Sequence, residues 1–186
     1  PLAPTTTVVT TLSELRGAIE ALPVGGAAAL FLPPDAVIRL DGTELLLEGV
    51  NVTLMSRTPG ALLDAQHASR IFRIKSGGHL SLNGVRLSSG GGVRYGAAAY
   101  VLSASVAFVD CVLSNCTAAS SADTARGGAL YLGRTSKASL LHTSIVNCTA
   151  TSSAGSAAGA ALHRDPSPAA ARVHRTVARR AARAQA

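Results

Sequence analysis

Two of the three cysteines occupy repeated positions and are the first residues whose spacing could support chemistry. Cys116 and Cys148 each lie in the tetrapeptide Asn-Cys-Thr-Ala, whose two copies stand at 115–118 and 147–150. Such thiols either stack as small buried apolar groups or join in a disulfide, which requires an exported protein. Cys111 makes the number of cysteines odd, so at least one thiol is unpaired. No C-x-x-C pair or neighbouring histidine indicates zinc, and no base lies close in sequence to activate a catalytic thiol.

Three asparagines match the acceptor pattern for N-glycosylation. Asn51 lies in Asn-Val-Thr, whereas Asn115 and Asn147 lie in Asn-Cys-Thr. If these sites are used, the protein is an exported glycoprotein. The alternative is a ladder of asparagines inside turns, hydrogen-bonded from one repeat to the next. We favour the ladder for Asn115 and Asn147, because equivalent positions of a repeat point the same way.

Histidine spacing indicates no metal site. The five histidines are spread along the chain: His67, His79, His142, His163 and His174. The triplet at 90–92 (Gly-Gly-Gly) is not a phosphate-binding loop, because no Lys-Ser or Lys-Thr follows it. The sequence therefore predicts no metal and no other cofactor.

The positive charge of the chain is concentrated near its C-terminal end. The 186 residues carry a formal net charge of +7, of which residues 1–162 contribute +2 and residues 163–186 contribute +5. A nearly neutral body has no field that would steer it to nucleic acid. Hydrophobic residues make up 47% of the sequence, which excludes a disordered chain, and aromatic residues make up only 3%. No apolar run approaches the length of a membrane span.

One helix is predicted near the start of the chain, over about residues 11–22. The sequence Thr-Leu-Ser-Glu at 11–14 fits a capping box, in which the Thr and Glu side chains each bond the other residue's backbone amide. An apolar stripe at helical spacing follows: Leu12, Leu15, Ala18, Ile19 and Leu22. Because its apolar face needs a partner, we expect this helix to cover one end of a stack of strands.

Beyond residue 28 the apolar period changes from 3.6 to 2, and a short pattern recurs. The pattern is L-x-L-x-G-V-x-Φ, where Φ is aliphatic, and its copies span residues 45–52, 80–87, 106–113 and 140–147. Each copy predicts two very short strands around a bend, where Gly49 or Gly84 gives the backbone freedom. Such a pair cannot bury its apolar side alone, whereas copies stacked along one axis share an interior. The predicted interior residues are Leu47, Val50, Val52, Leu80, Leu82, Val85, Leu87, Val106, Phe108, Leu113, Leu130 and Leu132.

A second, glycine-rich repeat overlaps the first. Residues 127–132 (Gly-Gly-Ala-Leu-Tyr-Leu) have an earlier relative at 96–101 and a later one at 158–162. Aligning the last two coils on their strands gives an offset of 34, whereas Asn-Cys-Thr-Ala gives 32. Both alignments remain open at this stage.

These repeats resemble a known family. Residues 127–131, with the aliphatic-x-Asn-x-x-Ala segments at 113–118 and 145–150, are similar to the repeats of polymorphic outer-membrane proteins. They also resemble the wider group of pectin-lyase-like surface proteins, and the resemblance covers roughly residues 10–162. It implies a right-handed parallel β-helix.

One segment resembles an enzyme signature of the same fold. Arg-Ile-Lys at 73–75 has the letters of a polygalacturonase motif, but the paired-Asp and Gly-His-Gly segments of those enzymes are missing. The sequence also departs from the outer-membrane family. That family usually has Phe before its Asn, whereas Leu113 and Ile145 stand nearby here. The alternative function, by fold analogy alone, is a truncated or degenerate carbohydrate-active enzyme of the pectate lyase or glycoside hydrolase type.

Acidic residues would have to carry such an activity. An inverting hydrolase needs two carboxylates flanking the bond, and a calcium-assisted lyase needs several clustered acids with a base. The acids are instead scattered, each explained by a turn or a surface position: Asp35, Asp41, Glu44, Glu48, Asp64, Asp110 and Asp123. Asp64, Arg70 and Arg73 are the residues to examine first if the protein is an enzyme.

The last residues differ in composition from the rest. Residues 163–186 contain six arginines among many alanines, which favours a helix with a cationic side. These residues begin at His163, where the repeat predicts that an aliphatic strand should continue. The tail is interpreted either as an arm for polyanions or, preferably, as a solvated or non-native extension.

Together these patterns predict an all-β protein. Residues 1–162 form a right-handed parallel β-helix, a solenoid of about six coils with a short capping helix, and 163–186 form a basic tail. We expect a non-catalytic secreted or cell-surface module, a scaffold or adhesin-like surface that binds a polysaccharide or a protein. The chain starts at Pro1 without a basic and apolar leader, so we expect any secretion signal to lie upstream.

Overall fold

The computed structural model describes residues 6–165 and 177–179, and this part of the chain consists mainly of short strands. In chain order they are β1 Thr6–Val8, β2 Ala27–Phe31, β3 Val37–Arg39, β4 Leu45–Glu48, β5 Asn51–Met55, β6 Leu62–Asp64, β7 Phe72–Lys75, β8 His79–Asn83, β9 Arg86–Ser88, β10 Ala99–Leu102, β11 Ser105–Val109, β12 Val112–Ser114, β13 Thr117–Ser120, β14 Ala125–Arg126, β15 Leu130–Leu132, β16 Lys137–Leu141, β17 Ser144–Val146, β18 Thr149–Ser152, β19 Ala157–Ala158, β20 Leu162–Arg164 and β21 Val177–Arg179. One helix, α1 (Leu12–Glu20), lies between β1 and β2.

The strands form three larger sheets in which every pairing is parallel. Sheet 1 has the order β1-β2-β5-β8-β11-β16, sheet 2 the order β3-β6-β9-β12-β17-β21, and sheet 3 the order β4-β7-β10-β15-β20. From β2 onwards the chain visits sheets 1, 2 and 3 in turn and then returns to sheet 1. This course is that of a parallel β-helix, so the predicted all-β fold class is confirmed. Two small sheets, β13-β18 and β14-β19, widen the last two coils.

The strand register shows where each coil begins. Pairing along sheet 1 joins Ala27 to Asn51, Asn51 to His79, His79 to Ser105 and Ser105 to Lys137. These equivalent positions are unevenly spaced along the sequence, so the coils differ in length. Of the four coils between Ala27 and Lys137, the one that begins at Ser105 is the longest. Five coils pass through all three sheets in the described residues, and β1 and β21 belong to partial coils at the two ends.

The register resolves the open alignment of the last two coils. Thr117 pairs with Thr149, and Leu130 pairs with Leu162, both at an offset of 32. The alignment based on Asn-Cys-Thr-Ala is confirmed, and the alternative offset of 34 is wrong. The predicted copy at 140–147 therefore starts two residues too late, since Leu140 pairs with Phe108.

The first predicted copy of the strand–bend–strand pattern is not equivalent to the second. Residues 45–52 turn the corner from sheet 3 into sheet 1, whereas residues 80–87 turn the corner from sheet 1 into sheet 2. Val52, not Leu45, pairs with Leu80. The two segments look alike because both corners use a glycine with positive φ followed by an inward valine.

The predicted interior is confirmed. All twelve predicted residues are buried, with at most 4% of their surface exposed. In sheet 1 the register stacks Leu54, Leu82, Phe108 and Leu140 into one row that runs through four coils. Each coil thus covers the apolar side chains of its neighbours, which no single pair of short strands could do.

The helix α1 has the predicted capping box. The Thr11 hydroxyl accepts a hydrogen bond from the Glu14 amide at 3.2 Å, and the Glu14 carboxylate accepts one from the Thr11 amide at 3.1 Å. Leu15 and Ile19 are buried in the core beside the first strand of sheet 3. In the described ranges no helix is long and apolar enough to cross a bilayer. Strand β1, which the sequence did not predict, pairs with β2 ahead of the helix.

Strand pairing continues past residue 162, the predicted end of the domain. His163 pairs with Tyr131 in sheet 3, and the Asp165 amide donates to the Leu132 carbonyl at 2.9 Å. Strand β21 pairs with β17 in sheet 2. The other residues of the predicted tail, 166–176 and 180–186, lie outside the described residues.

Candidate functional site

All three tyrosines of the chain lie together at sheet 3. Tyr100 in β10 pairs with Tyr131 in β15, which pairs with His163 in β20, and adjacent rings have centroids 5.1 and 5.7 Å apart. Tyr95 comes from the loop before β10, with its ring centroid 5.1 Å from that of Tyr131. We call these four residues the tyrosine cluster. Their contacts are within the range of favourable aromatic pairs, so the cluster joins three successive coils.

A glycine turn places each ring of the row formed by Tyr100, Tyr131 and His163. Each of the three rings follows a glycine by four residues: Gly96, Gly127 and Gly159. All three glycines have a φ between +53° and +63°, where a side chain is strained. A Cβ at Gly96 would also lie 2.3 Å from the Ala99 carbonyl oxygen. The turn therefore requires glycine, and it fixes where the ring strand begins.

Two arginines cover outer rings of the cluster. The Arg70 guanidinium carbon lies 4.6 Å from the Tyr100 ring centroid, and that of Arg94 lies 4.8 Å from the Tyr95 centroid. These are cation–π contacts. Because neighbouring rings and guanidinium groups occupy the ring faces, the cluster offers a ligand its ring edges, hydroxyl groups and guanidinium donors.

Arg70 ties the cluster to the rest of the fold. Its side chain is buried, with Nη1 donating to Glu44 Oε2 at 2.6 Å, Nε to the Gly96 carbonyl at 2.9 Å and Nη2 to the Tyr95 carbonyl at 2.7 Å. Burial lowers the pKa of Arg70, and the nearby Glu44 carboxylate opposes that shift. An arginine stays charged even so. Arg73 Nη1 also donates to Glu44, at 3.3 Å, so one carboxylate joins both arginines.

Asp165 closes the opposite side of the cluster. The Tyr131 hydroxyl donates to Asp165 Oδ2 at 2.6 Å, and Arg126 Nη1 lies 3.6 Å from Asp165 Oδ1. Burial and the hydrogen bond to Asp165 raise the pKa of Tyr131 above the usual range. On the outer rim, Arg94 pairs with Asp123. Four arginines and three carboxylates thus surround the rings, which leaves the surface nearly neutral.

The two inner carboxylates of the surface are too far apart to act as a catalytic pair. Glu44 adjoins β4 and Asp165 follows β20, with β7, β10 and β15 between them. Four strand spacings amount to roughly 19 Å. A glycosidase holds its two carboxyl groups about 5–10 Å apart. Glu44 and Asp165 therefore lack the separation of a glycosidase's two carboxyl groups.

The three residues named as enzyme candidates lie in two separate parts of the fold. Arg70 and Arg73 come together on Glu44, whereas Asp64 ends β6 in sheet 2 and accepts a hydrogen bond from the Gln66 amide at 3.0 Å. In residues 6–165, no hydrogen bond or ion pair joins Asp64 to either arginine. The same part of the chain contains no group of three or more His, Cys, Asp or Glu residues that could hold a metal ion.

The cysteines lie at corners that share one backbone conformation and one side-chain hydrogen bond. Four successive corner residues adopt a φ between +48° and +53°: Asp110, Asn115, His142 and Asn147. The next residue in each case donates a thiol or hydroxyl hydrogen to the carbonyl two positions back, at 3.0–3.4 Å: Cys111, Cys116, Thr143 and Cys148. At each corner, a small buried side chain therefore provides a hydrogen-bond donor to a backbone carbonyl of the same corner.

Cys116 and Cys148 are neighbours across the last two coils. Both thiols are free and buried, with 0% and 9% of the residue surface exposed. The neighbouring Cys148 side chain raises the pKa of Cys116, in the same direction as its burial, and the Cys116 side chain lowers the pKa of Cys148. Cys111 lies at another corner, where burial raises its pKa.

The asparagines of the three glycosylation motifs are all exposed. Asn51 begins β5, and Asn115 and Asn147 occupy the corner positions with positive φ. Across the described coils, the expected side-chain hydrogen bonds between Asn115 and Asn147 are not present. Their shared conformation explains the repeat, because asparagine tolerates the left-handed region better than most residues.

Two shallow depressions lie outside the tyrosine cluster. One, of about 280 Å³, is lined by α1 and the segment 43–50, including Arg16 and Glu20. The other, of about 430 Å³, is lined by alanine, serine and threonine of β13, β18 and the turns that follow them.

Comparisons with protein-family models, curated proteins and solved structures found no match for this chain. Functional conclusions consequently rest on the fold and on its surface chemistry. The sequence analysis did not predict the tyrosine cluster, because aromatic residues make up only 3% of the sequence and the rings become neighbours only when the coils stack. The repeated spacing of glycine and ring residue is the signal that could have revealed it.

Proposed function

We propose that the protein is a non-catalytic β-helix module of the cell surface or the extracellular space that binds a polysaccharide at the tyrosine cluster. The observation that supports this is the row of Tyr100, Tyr131 and His163, one ring per coil, flanked by arginines and carboxylates. Planar guanidinium and carboxylate groups can each form paired hydrogen bonds with sugar hydroxyls.

The available groups favour an extended ligand. The side chains of Arg73, Arg94 and Arg126 are 38–45% exposed, so part of each side chain faces water, although Arg73 Nε itself is buried. They are spread over successive coils, which repeat at about 4.8 Å. A chain molecule lying across the coils would contact several of them at once, as a single small molecule would not.

The surface location is proposed on separate grounds. The repeats resemble those of polymorphic outer-membrane proteins and of the pectin-lyase-like group, and the three asparagines of the glycosylation motifs are exposed. An adhesin-like or scaffold role accords with a long row of side chains and with the wide separation of Glu44 and Asp165. The protein would then hold a glycan without cleaving it.

Binding to a panel of neutral and acidic polysaccharides, measured by calorimetry, tests the proposal. For a polysaccharide that binds, Arg73→Ala and Arg94→Ala should each weaken binding about tenfold, equivalent to about 1.4 kcal/mol. Arg39→Ala is the matched control, since Arg39 is exposed on sheet 2 and should change affinity less than twofold. Failure to bind any polysaccharide, or equal losses in all three variants, would contradict the proposal.

A carbohydrate-active enzyme is the second candidate, favoured by the grouping of Arg70 and Arg73 around Glu44. Incubation with acidic glycans, with and without calcium, should release no new reducing ends and no unsaturated products if the module only binds. Cleavage that is lost in Glu44→Gln or Asp64→Asn would instead establish the enzyme.

The basic tail supplies a separate hypothesis, binding to polyanions. Heparin and DNA binding should be compared between the full chain and a chain ending at Asp165, which keeps residues 163–165 of the last coil and removes β21 with the rest of the tail. If the arginines of the tail bind polyanions, the shorter chain loses that binding while retaining any polysaccharide binding at the cluster. Unchanged heparin binding would eliminate this role.

A further inference from the structure

Two neighbouring coils place the Cys116 and Cys148 thiols side by side. Thr117 and Thr149, the next residues, are paired in β13 and β18, and the Thr149 amide donates to the Cys116 carbonyl at 2.8 Å. Paired strands lie about 4.8 Å apart, within the roughly 4.4–6.8 Å between Cα atoms that a disulfide requires. Both sulfurs also donate to the carbonyl two residues back, so the two side chains point the same way.

We propose that Cys116 and Cys148 are a redox-active pair whose disulfide fastens the last two coils of the β-helix together. This inference does not depend on polysaccharide binding. It concerns the widened part of the fold, where the chain between the two cysteines includes β13, β14 and β15 before it returns through β16 and β17.

The proposed reaction is thiol–disulfide exchange with a low-molecular-weight disulfide such as oxidised glutathione. The Cys148 thiolate attacks one sulfur of that disulfide, forming a mixed disulfide and releasing one small thiolate. The Cys116 sulfur then attacks Cys148, which releases the second small thiolate as the protein disulfide forms. The two protons of the protein thiols end on the released thiols, and two electrons pass to the oxidant.

The two cysteines have different roles in this scheme. Cys148 is the slightly exposed member, and its pKa is lowered, so it is the better attacking group. Cys116 is fully buried, so it acts as the resolving thiol only after Cys148 has reacted. The mixed disulfide on Cys148 removes the neighbouring thiol that raises the pKa of Cys116, which makes the second attack easier. Opening of the last coil is required for the oxidant to enter.

Cys111 provides an internal control for the pairing. Its equivalents in the adjacent coils are Val85 and Thr143, as the register of β12 with β9 and β17 shows. It therefore has no cysteine beside it at its own corner. Because Thr143 performs the same corner hydrogen bond with a hydroxyl, Cys111→Thr should fold normally.

The experiment equilibrates the purified full chain with glutathione mixtures of increasing oxidised fraction, with and without mild urea to permit opening. Free thiols are then alkylated after denaturation, and peptides are identified by mass spectrometry. We expect one cross-link, between Cys116 and Cys148, with Cys111 fully alkylated. The oxidised protein should melt roughly 5–10 °C above the reduced protein, because the bond closes a loop of about 32 residues.

Three variants separate the pair from a structural stack of thiols. Cys111→Thr should keep the cross-link and the shift in melting temperature. Cys116→Ser should lose both and accumulate a glutathione adduct on Cys148, whereas Cys148→Ser should lose both and leave Cys116 largely unmodified. Full alkylation of both thiols at the most oxidising mixture, even in urea, or a cross-link through Cys111, would overturn the proposal.

Discussion

Arg70 Nη1 donates to Glu44 Oε2 at 2.6 Å, across the pairing of β7 with β4, although the two residues are 26 positions apart in the sequence. The same guanidinium satisfies the carbonyls of Tyr95 and Gly96. A buried arginine with three such acceptors holds the loop of Tyr95 against sheet 3. Its removal leaves both carbonyls and a half-buried carboxylate without their principal donor.

Arg70→Ala should therefore lower the free energy of unfolding by about 2–4 kcal/mol, as expected for breaking a buried, hydrogen-bonded charge pair. Arg73→Ala is the control, because Arg73 is more exposed and shares the same carboxylate, and it should cost less than about 1 kcal/mol. Urea unfolding followed by circular dichroism measures both. Equal losses for the two variants would show that burial does not distinguish them.

The interior makes a second prediction, at Phe108. This side chain is fully buried, between Leu82 and Leu140 in the register of sheet 1. Phe108→Ala removes a ring and leaves a cavity in a row shared by four coils, so it should destabilise the protein by about 3–5 kcal/mol. Leu141→Ala, one residue beyond Leu140 and 43% exposed, should change stability by less than about 1 kcal/mol in the same unfolding experiment. A small effect at Phe108 would mean that the row is not tightly packed.

Local patterns in the sequence were sufficient for the interior and for the helix. Alternating apolar residues mark which side of a short strand is buried, and the capping box marks where α1 begins, since both depend on neighbours within a few residues. The stacking of coils also follows, because such short strands have no other way to bury their apolar sides. These predictions required no knowledge of coil length.

The register and the tyrosine cluster could not be obtained in the same way. The coils differ in length because their loops differ, so one similar corner can be mistaken for another, as happened with residues 45–52. The partnership of Arg70 with Glu44 depends on that length, and Tyr95 reaches Tyr131 from a loop. Residue 163, where an aliphatic side chain was expected, is a histidine within strand β20, and its ring continues the row of rings.

The corner residues give a third prediction, at Asn115. Its φ of +53° lies in the left-handed region, where a Cβ without a local polar group is disfavoured by about 1–2 kcal/mol. Asn115→Ala should therefore destabilise the protein by about 1 kcal/mol, whereas Asn115→Gly should be close to neutral. Thermal unfolding of both variants checks the order.

The matched control for Asn115 is Asn51. It is also an exposed asparagine of a glycosylation motif, but it lies in a strand and not at a corner with positive φ. For Asn51, the alanine variant should be no less stable than the glycine variant, because glycine is unfavourable within a strand. The same order at both positions would indicate that the effect at Asn115 does not come from its backbone conformation.

The fourth prediction concerns the ionisation of Tyr131, whose pKa is raised from an ordinary value of 10.0 by burial and by its hydrogen bond to Asp165. Since the folded protein favours the neutral phenol, its contribution to stability is complete below about pH 10 and is lost as pH rises towards the folded pKa. Titration of tyrosinate absorbance should show a late-ionising component, and Tyr131→Phe should remove that component. The variant should also lose stability less steeply than the parent above pH 10, whereas unchanged curves would mean that Tyr131 is not the shifted group. Tyr100→Phe, which keeps the ring but not the hydroxyl, is the control and should leave the late component in place.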